Sequence, residues 1–210
     1  MSSRRDDKAA QQTEQVDILR TFIAIELDEP VYIALSAIQE ELKGRVPRGS
    51  VRWVNPSNIH LTLKFLGDTP ASRLSEIKAA LEEACAGIPP LDLTIEGRGC
   101  FPNFRRPNVI WVAVRDHGGM LARLQRVVEE HIAPLGWPTE KRAFRPHLTL
   151  GRVNRRLTSR ERAVVGAAVE SLEVEQIATI HVTHVSLMRS DLHPSGAVYT
   201  RLFHVALKDQ

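Results

Sequence analysis

The sequence predicts an α+β fold, with two pseudo-symmetric lobes of antiparallel β-sheet, helices outside and a cleft between them. Three observations carry this. Strand-like and helix-like segments succeed one another roughly as β-α-β-α-β-β-α-β-α-β-β. The tetrapeptide His-Leu-Thr-Leu occurs twice, at His60–Leu63 and His147–Leu150, 87 residues apart. That period is too long for a solenoid. Each copy follows a proline-containing loop and precedes a glycine (Gly67, Gly151) and then a helix.

The elements follow in order. Residues 1–17 are polar and aperiodic and predict a disordered tail, and residues 18–210 a single two-lobed domain. Thr21–Leu27 is rich in β-formers and predicts a strand. Pro30 opens a helix whose apolar face is Val31, Leu35, Ile38 and Leu42; Gly44 and Pro47 end it. Ile59–Phe65 alternates as a strand, with Ile59, Leu61, Leu63 and Phe65 on one face and His60, Thr62 and Lys64 on the other. Leu74, Ile77, Leu81 and Ala84 mark a second helix. Strands at Leu91–Ile95 and Val109–Val114 flank a Gly/Pro/Arg loop over residues 97–107. A third helix runs from Met120 to Ile132. Pro134, Gly136 and Pro138 make a loop that leads into the strand Pro146–Leu150. Thr158 and Glu161 match a capping box for a helix to Ser171. Strands at His181–Met188 and Val198–Leu207, joined by the turn Pro194-Ser195-Gly196, complete the chain.

Composition narrows the function classes. With 43% apolar and 25% charged residues, the chain is an ordinary globular protein rather than a disordered or membrane-spanning one. The longest apolar runs are a handful of residues, against about 20 for a membrane helix. The start of the chain has charges but no apolar run, which argues against a secretory signal. Cys85 and Cys100 cannot make a disulfide framework, so a reducing cytoplasm is expected. Net charge is only +3, but residues 98–156 hold 12 Lys/Arg against 4 Asp/Glu, a surplus of eight, and the remainder is net −5. A basic segment of this kind suits a phosphate-bearing partner or is a solvated face.

The repeated tetrapeptide carries the chemistry. Strand alternation puts His60 with Thr62, and His147 with Thr149, on faces opposite their leucines. A pseudo-twofold axis would bring the two pairs face to face. Two imidazoles on either side of a reacting atom divide acid and base work, and threonine hydroxyls hold an anionic oxygen. This suits in-line displacement at phosphorus without a metal, and no cofactor is expected. No carboxylate stands within three positions of either histidine, and His181 and His184 sit three apart in one expected strand, on opposite faces. Phosphate-loop and nucleophile-elbow patterns are absent.

With both motifs in place, the sequence resembles the 2H phosphoesterases, specifically the RNA 2′,3′-cyclic phosphodiesterases historically called 2′-5′ RNA ligases. The likeness runs from about Leu19 to Leu207. It rests on Phe22–Ile25, Val51–Val54, His60–Gly67, Phe101–Asn103, Pro107–Trp111 and Phe144–Leu150. The resemblance implies an active site in the cleft that opens an RNA 2′,3′-cyclic phosphate to a 2′-phosphate, with His60 as proton donor and His147 as proton acceptor. The residues alone leave that assignment open, because the motifs are identical. Thr62 and Thr149 would hold the phosphate oxygens. Run in reverse, the site would form a 2′-5′ linkage. RNA is the expected partner, with no membrane, and the chain is expected to be a monomer.

Other residues are weighed beside these. Arg145 shares the strand face of His147 and is a candidate phosphate ligand. Phe101 and Phe104 lie among arginines, and Phe104 is the candidate base-stacking residue. Arg98, Arg105, Arg106 and Lys141 would line the approach, and Arg152, Arg155 and Arg156 a basic rim. Trp53 and Trp111 are expected in the core. The alternatives are a phosphodiesterase for small cyclic nucleotides and an RNA-binding module without catalysis.

Overall fold

The structure, a computed structural model, describes residues 17–194 and 196–208. The expected tail at residues 1–16 and the turn residue Ser195 lie outside the described residues. Asp17, assigned to the tail by its polarity, is already tied down, since its carbonyl accepts the Ala71 amide at 2.8 Å.

The chain runs β1 (Ile18–Ile25), α1 (Glu29–Arg45), β2 (Val51–Trp53), β3 (Leu61–Pro70), α2 (Leu74–Cys85), β4 (Leu91–Phe101), β5 (Val109–Arg115), α3 (Met120–Ile132), β6 (His147–Val153), α4 (Ser159–Glu170), β7 (Ala178–Val182), β8 (His184–His193) and β9 (Gly196–Ala206). Two antiparallel sheets result, ordered β3-β1-β8-β9 and β2-β6-β5-β4-β7. The local signals act as their chemistry dictates. Pro30 sits in the first turn of α1, and Val31, Leu35, Ile38 and Leu42 are its buried face. At α4, the Thr158 hydroxyl accepts the Glu161 amide and the Glu161 carboxylate accepts the Thr158 amide, a complete capping box.

The twofold is topological. β3-β1-β8-β9 in one sheet corresponds to β6-β5-β4-β7 in the other, so the two His-Leu-Thr-Leu segments occupy equivalent strands and β2 is an addition outside β6. The lobes are not halves of the chain, however. β2 leaves its neighbours for the second sheet, and β8 and β9 return to the first. The helices also exchange. α1 packs on β7 and α4, whereas α3 packs on β3 and α2.

Two strand expectations change. The single strand expected at His181–Met188 is two strands in different sheets, with the crossing at Thr183. The buried apolar positions shift there from even to odd numbers, Ile180 and Val182 and then Val185 and Leu187. β4 also continues to Phe101 through the expected loop.

A third change bears on the site. β1 and β3 pair Ala24 with Thr62, then Ile23 with Lys64, leaving Leu63 as a bulge. One extra residue inverts the faces beyond it. Lys64 therefore turns into the core and Phe65 turns to the face of Phe22, the reverse of simple alternation. The Lys64 ammonium pairs with Glu129 of α3 and donates to the Pro138 carbonyl at 2.9 Å. Glu129 also accepts from Gln125 and from the Glu140 amide, each at 3.2 Å.

Candidate active site

His60 stands immediately before β3 and His147 opens β6. Both rings are fixed the same way. Nδ1 of His60 lies 2.9 Å from the Asn58 carbonyl, and Nδ1 of His147 lies 2.6 Å from the Arg145 carbonyl. A carbonyl only accepts, so each Nδ1 carries a proton and donates it. The nitrogen left for chemistry is Nε2 in both rings.

Each imidazole also has two aromatic supports. His60 stacks on Phe22 at 4.6 Å and meets the edge of Tyr199 at 5.0 Å between centroids. His147 meets Phe101 edge-on at 4.9 Å and Trp111 at 6.1 Å. Trp111 can lie there because Gly99, its cross-strand partner, has no side chain; a Cβ would fall 2.1 Å from the indole. Thr62 pairs with Ala24 and Thr149 with Trp111, the strands that bear these supports. β3 and β6 touch, which sets the two His-x-Thr strands beside each other.

Electrostatics couple the rings and then distinguish them. Burial pushes both histidines below their usual pKa, and the backbone hydrogen bonds partly offset it. A proton on His147 disfavours one on His60, which places the rings within Coulombic reach. The Glu26 carboxylate favours the His60 imidazolium, whereas Arg152 disfavours the His147 imidazolium. Glu26 follows Ile25, the partner of Leu61, and accepts Ser186 Oγ at 2.5 Å and Arg201 at 3.2 Å. Arg152 lies directly opposite Arg52 across the β2–β6 pair, and neither forms an ion pair among the described residues.

His60 and Thr62 stand at β3 and His147 and Thr149 on β6, strands that touch. Arg145 supplies its carbonyl to His147, and its side chain is exposed at the same edge. Phe104 is placed elsewhere. It packs on the main core, and its carbonyl is so close to Gly166 of α4 that a Cβ there would clash. Arg98 does not line the approach either, since it donates to the Val169 and Glu170 carbonyls at the end of α4. Trp53 packs on the core as expected, whereas Trp111 belongs to the cleft. Sequence reasoning missed Phe22, Tyr199 and Glu26. Phe22, Ala24 and Glu26 share one strand face by simple alternation, and that was the available signal. His181 and His184 lie in different sheets, His181 pairing with Asp92 at 2.7 Å. Among the described residues no group of three or more His, Cys, Asp or Glu is arranged to hold a metal ion. No helix of the described residues is long and apolar enough to cross a membrane.

Comparison with known proteins fits this geometry. The profile of the 2′-5′ RNA ligase superfamily matches residues 34–194. An RNA 2′,3′-cyclic phosphodiesterase of Methanothermobacter thermautotrophicus is 35% identical over 182 residues, covering 87% of this chain and 95% of its own. One from Thermotoga maritima is 32% identical over 186 residues, covering 88% and 94%. The crystal structure of TT0787 from Thermus thermophilus matches with a TM-score of 0.73 and 27% identity, over 90% of this chain and 98% of that one.

Proposed function

The chain belongs to the 2′-5′ RNA ligase superfamily, and from that membership and the paired imidazoles we propose that it opens RNA 2′,3′-cyclic phosphate ends to 2′-phosphomonoesters. The observation that carries the reading is the matched orientation of the two histidines. Each donates Nδ1–H to the carbonyl two residues back and keeps Nε2 for the cleft. Nε2 of His147 takes a proton from water as the water oxygen bonds to phosphorus. The bond from phosphorus to the ribose 3′ oxygen breaks, and His60, entering as imidazolium, gives that oxygen its Nε2 proton. The phosphate remains on the 2′ oxygen. Thr62 and Thr149 donate to its non-bridging oxygens, where charge is held during the displacement. Two imidazoles complete the proton inventory, so this route draws on no cofactor.

If a 5′ hydroxyl replaces the water, the same displacement leaves a 2′-5′ linkage. Water at ~55 M outcompetes it unless the second RNA end is held in place. Arg145, Arg152 and Arg52 are the cationic side chains offered to further phosphates, and the Phe104 stacking role has no support in its packing. Both acid and base come from one chain, which supports a monomer with residues 18–210 as one two-lobed unit. Cys85 and Cys100 are buried free thiols, which fits a reducing cytoplasm.

End-group analysis tests the reading. An oligonucleotide ending in a 2′,3′-cyclic phosphate should yield a 2′-phosphate. A 3′-phosphate product would overturn the assignment of the leaving oxygen. Binding without turnover would leave an RNA-binding module. Turnover of cyclic mononucleotides but not of the oligomer would make the substrate a small molecule.

A further inference from the structure

We propose that Gln39 is a positioning residue for catalysis: its buried amide ties the loop that delivers His60 to the strand that carries Thr149, and so sets where the two motifs stand relative to one another. The inference rests on the two-histidine reading above.

Gln39 is the polar member of the buried face of α1, 1% exposed among Val31, Leu35, Ile38 and Leu42. Its Nε2 has two hydrogens and gives both to backbone carbonyls, Val54 at 2.7 Å and Leu150 at 2.8 Å. The Val54 amide donates to the same Leu150 carbonyl at 2.9 Å, so Val54 is fastened there through both its backbone groups. β5 and β6 pair Trp111 with Thr149 and then Ile110 with Gly151, which leaves Leu150 as a bulge directly after Thr149. From Val54 the chain to His60 is short and stiff. The turn Pro56–Asn58 closes on itself, with the Asn58 amide on the Asn55 carbonyl at 2.8 Å and the Ile59 amide on the Pro56 carbonyl at 2.9 Å. The Asn58 carbonyl then takes Nδ1–H of His60. One side chain of α1 thus connects the bulge behind Thr149 to the ring of His60.

The other lobe makes the same connection by other means. Leu63 is the bulge after Thr62, and Lys64, next to it, pairs with Glu129 of α3 and donates to the Pro138 carbonyl in the loop that leads to His147. Gly151 holds the position of Lys64 in β6 and has no side chain to reach across, so α1 supplies the donor. Each bulge is therefore tied to the approach of the opposite histidine. An apolar residue at position 39 would still fill the α1 core but would hold neither carbonyl.

Gln39→Met keeps the volume and removes both donors. In a protein shown folded by circular dichroism and cooperative melting, kcat on a cyclic-phosphate-ended oligonucleotide should fall about 10- to 100-fold, as for a proton donor displaced by about 1 Å. KM should stay within about threefold, because the acid acts only in the transition state. In a His60→Ala background the same change should lower kcat by no more than about twofold, since the ring it positions is gone. The ring proton signal of His60 in the NMR spectrum should move at fixed pH, while that of His184, beside the Thr183 hydroxyl at 3.1 Å, should stay. Gln39→Asn keeps the amide but is one methylene too short to span both carbonyls, and takes the place of the methionine variant if that does not fold. A folded variant with wild-type kcat, or one whose full loss persists without His60, overturns the positioning role. Movement of both ring signals alike is a general loosening and overturns it too. A wild type that turns over no cyclic phosphate fails the hydrolase reading, and the His60 signal alone then decides: moved by the variant, positioning stands; unmoved, it falls.

Discussion

Lys64→Met removes one half of a buried ion pair, and the structure sets its size. The Lys64 and Glu129 side chains are 4% and 9% exposed. Methionine keeps most of the lysine stem, so packing changes little. Glu129 then keeps its Gln125 and Glu140 donors without a countercharge, and the Pro138 carbonyl loses its ammonium. Orphaning one buried charge costs about 3–5 kcal/mol. Urea unfolding followed by tryptophan fluorescence should therefore show a loss of about 3–4 kcal/mol, with Tm lower by roughly 6–16 °C. Pairing the change with Glu129→Leu should recover most of the stability. A single-variant loss under about 1 kcal/mol, or a double variant no better than the single, would refute a buried and mutually dependent pair.

The remaining expectations concern activity. His60→Ala and His147→Ala should each lower kcat by roughly 10²- to 10⁴-fold in a folded protein, and Thr62→Ala and Thr149→Ala by about 10- to 10³-fold, measured on a cyclic-phosphate-ended oligonucleotide. The pH profile of kcat/KM should be a bell with its optimum on the acid side of ~6.5, since burial lowers both histidines in the free protein. The kcat optimum should sit higher, because bound phosphate favours imidazolium, and a monotonic profile would count against an acid–base pair. The same lowered pKa values give stability that is present above ~6.5 and lost as pH falls through the folded values, so acid unfolding should be milder in the His60→Ala, His147→Ala double variant. Prolonged EDTA treatment should leave turnover intact; restoration by added zinc after a loss would make the enzyme metal-dependent. Arg52→Gln and Arg152→Gln should each reduce the salt dependence of oligonucleotide binding by about one unit of slope, and an unchanged slope would make both a solvated surface.

What could be read from the sequence was what repeats locally. The His-x-Thr pairs, the leucine faces and the Thr158–Glu161 box each follow from spacing over a few residues, and each is in place. The errors have a common physical source, which is pairing with distant strands. The Leu63 bulge exists because β3 has a partner in β1, and no feature of Leu-Lys-Phe announces it, so Lys64 and Phe65 exchanged faces. Phe101 and Phe104 look alike in an arginine-rich loop. Only the continuation of β4 beside β5 sends Phe101 to His147, while contact with Gly166 draws Phe104 to α4. Tyr199 reaches His60 from 139 residues away because β9 closes the sheet that β3 begins. Asn58, two residues before His60, donates to Ala197 of β9 at 2.9 Å and secures that closure.

A twofold arrangement by itself gives two equal imidazoles, and equal imidazoles make a poor acid–base pair. The repeat supplies what should be equal: strand position, the carbonyl two residues back, two aromatic supports and a threonine. The inequality comes from side chains that the repeat does not match. Ser186 of β8 and Arg201 of β9 hold Glu26 at the His60 side, where its negative charge favours imidazolium. Arg152 lies at the His147 side, opposite Arg52 of the added strand β2, where its positive charge favours the neutral ring. Burial lowers both rings, and these two charges bias them in opposite directions. A protonated His60 beside a neutral His147 is the distribution that these two charges favour, and it is the one the proposed opening of a cyclic phosphate uses. Identical tetrapeptides thus stand among different charges, and Glu26 and Arg152 are the residues that make their surroundings unequal.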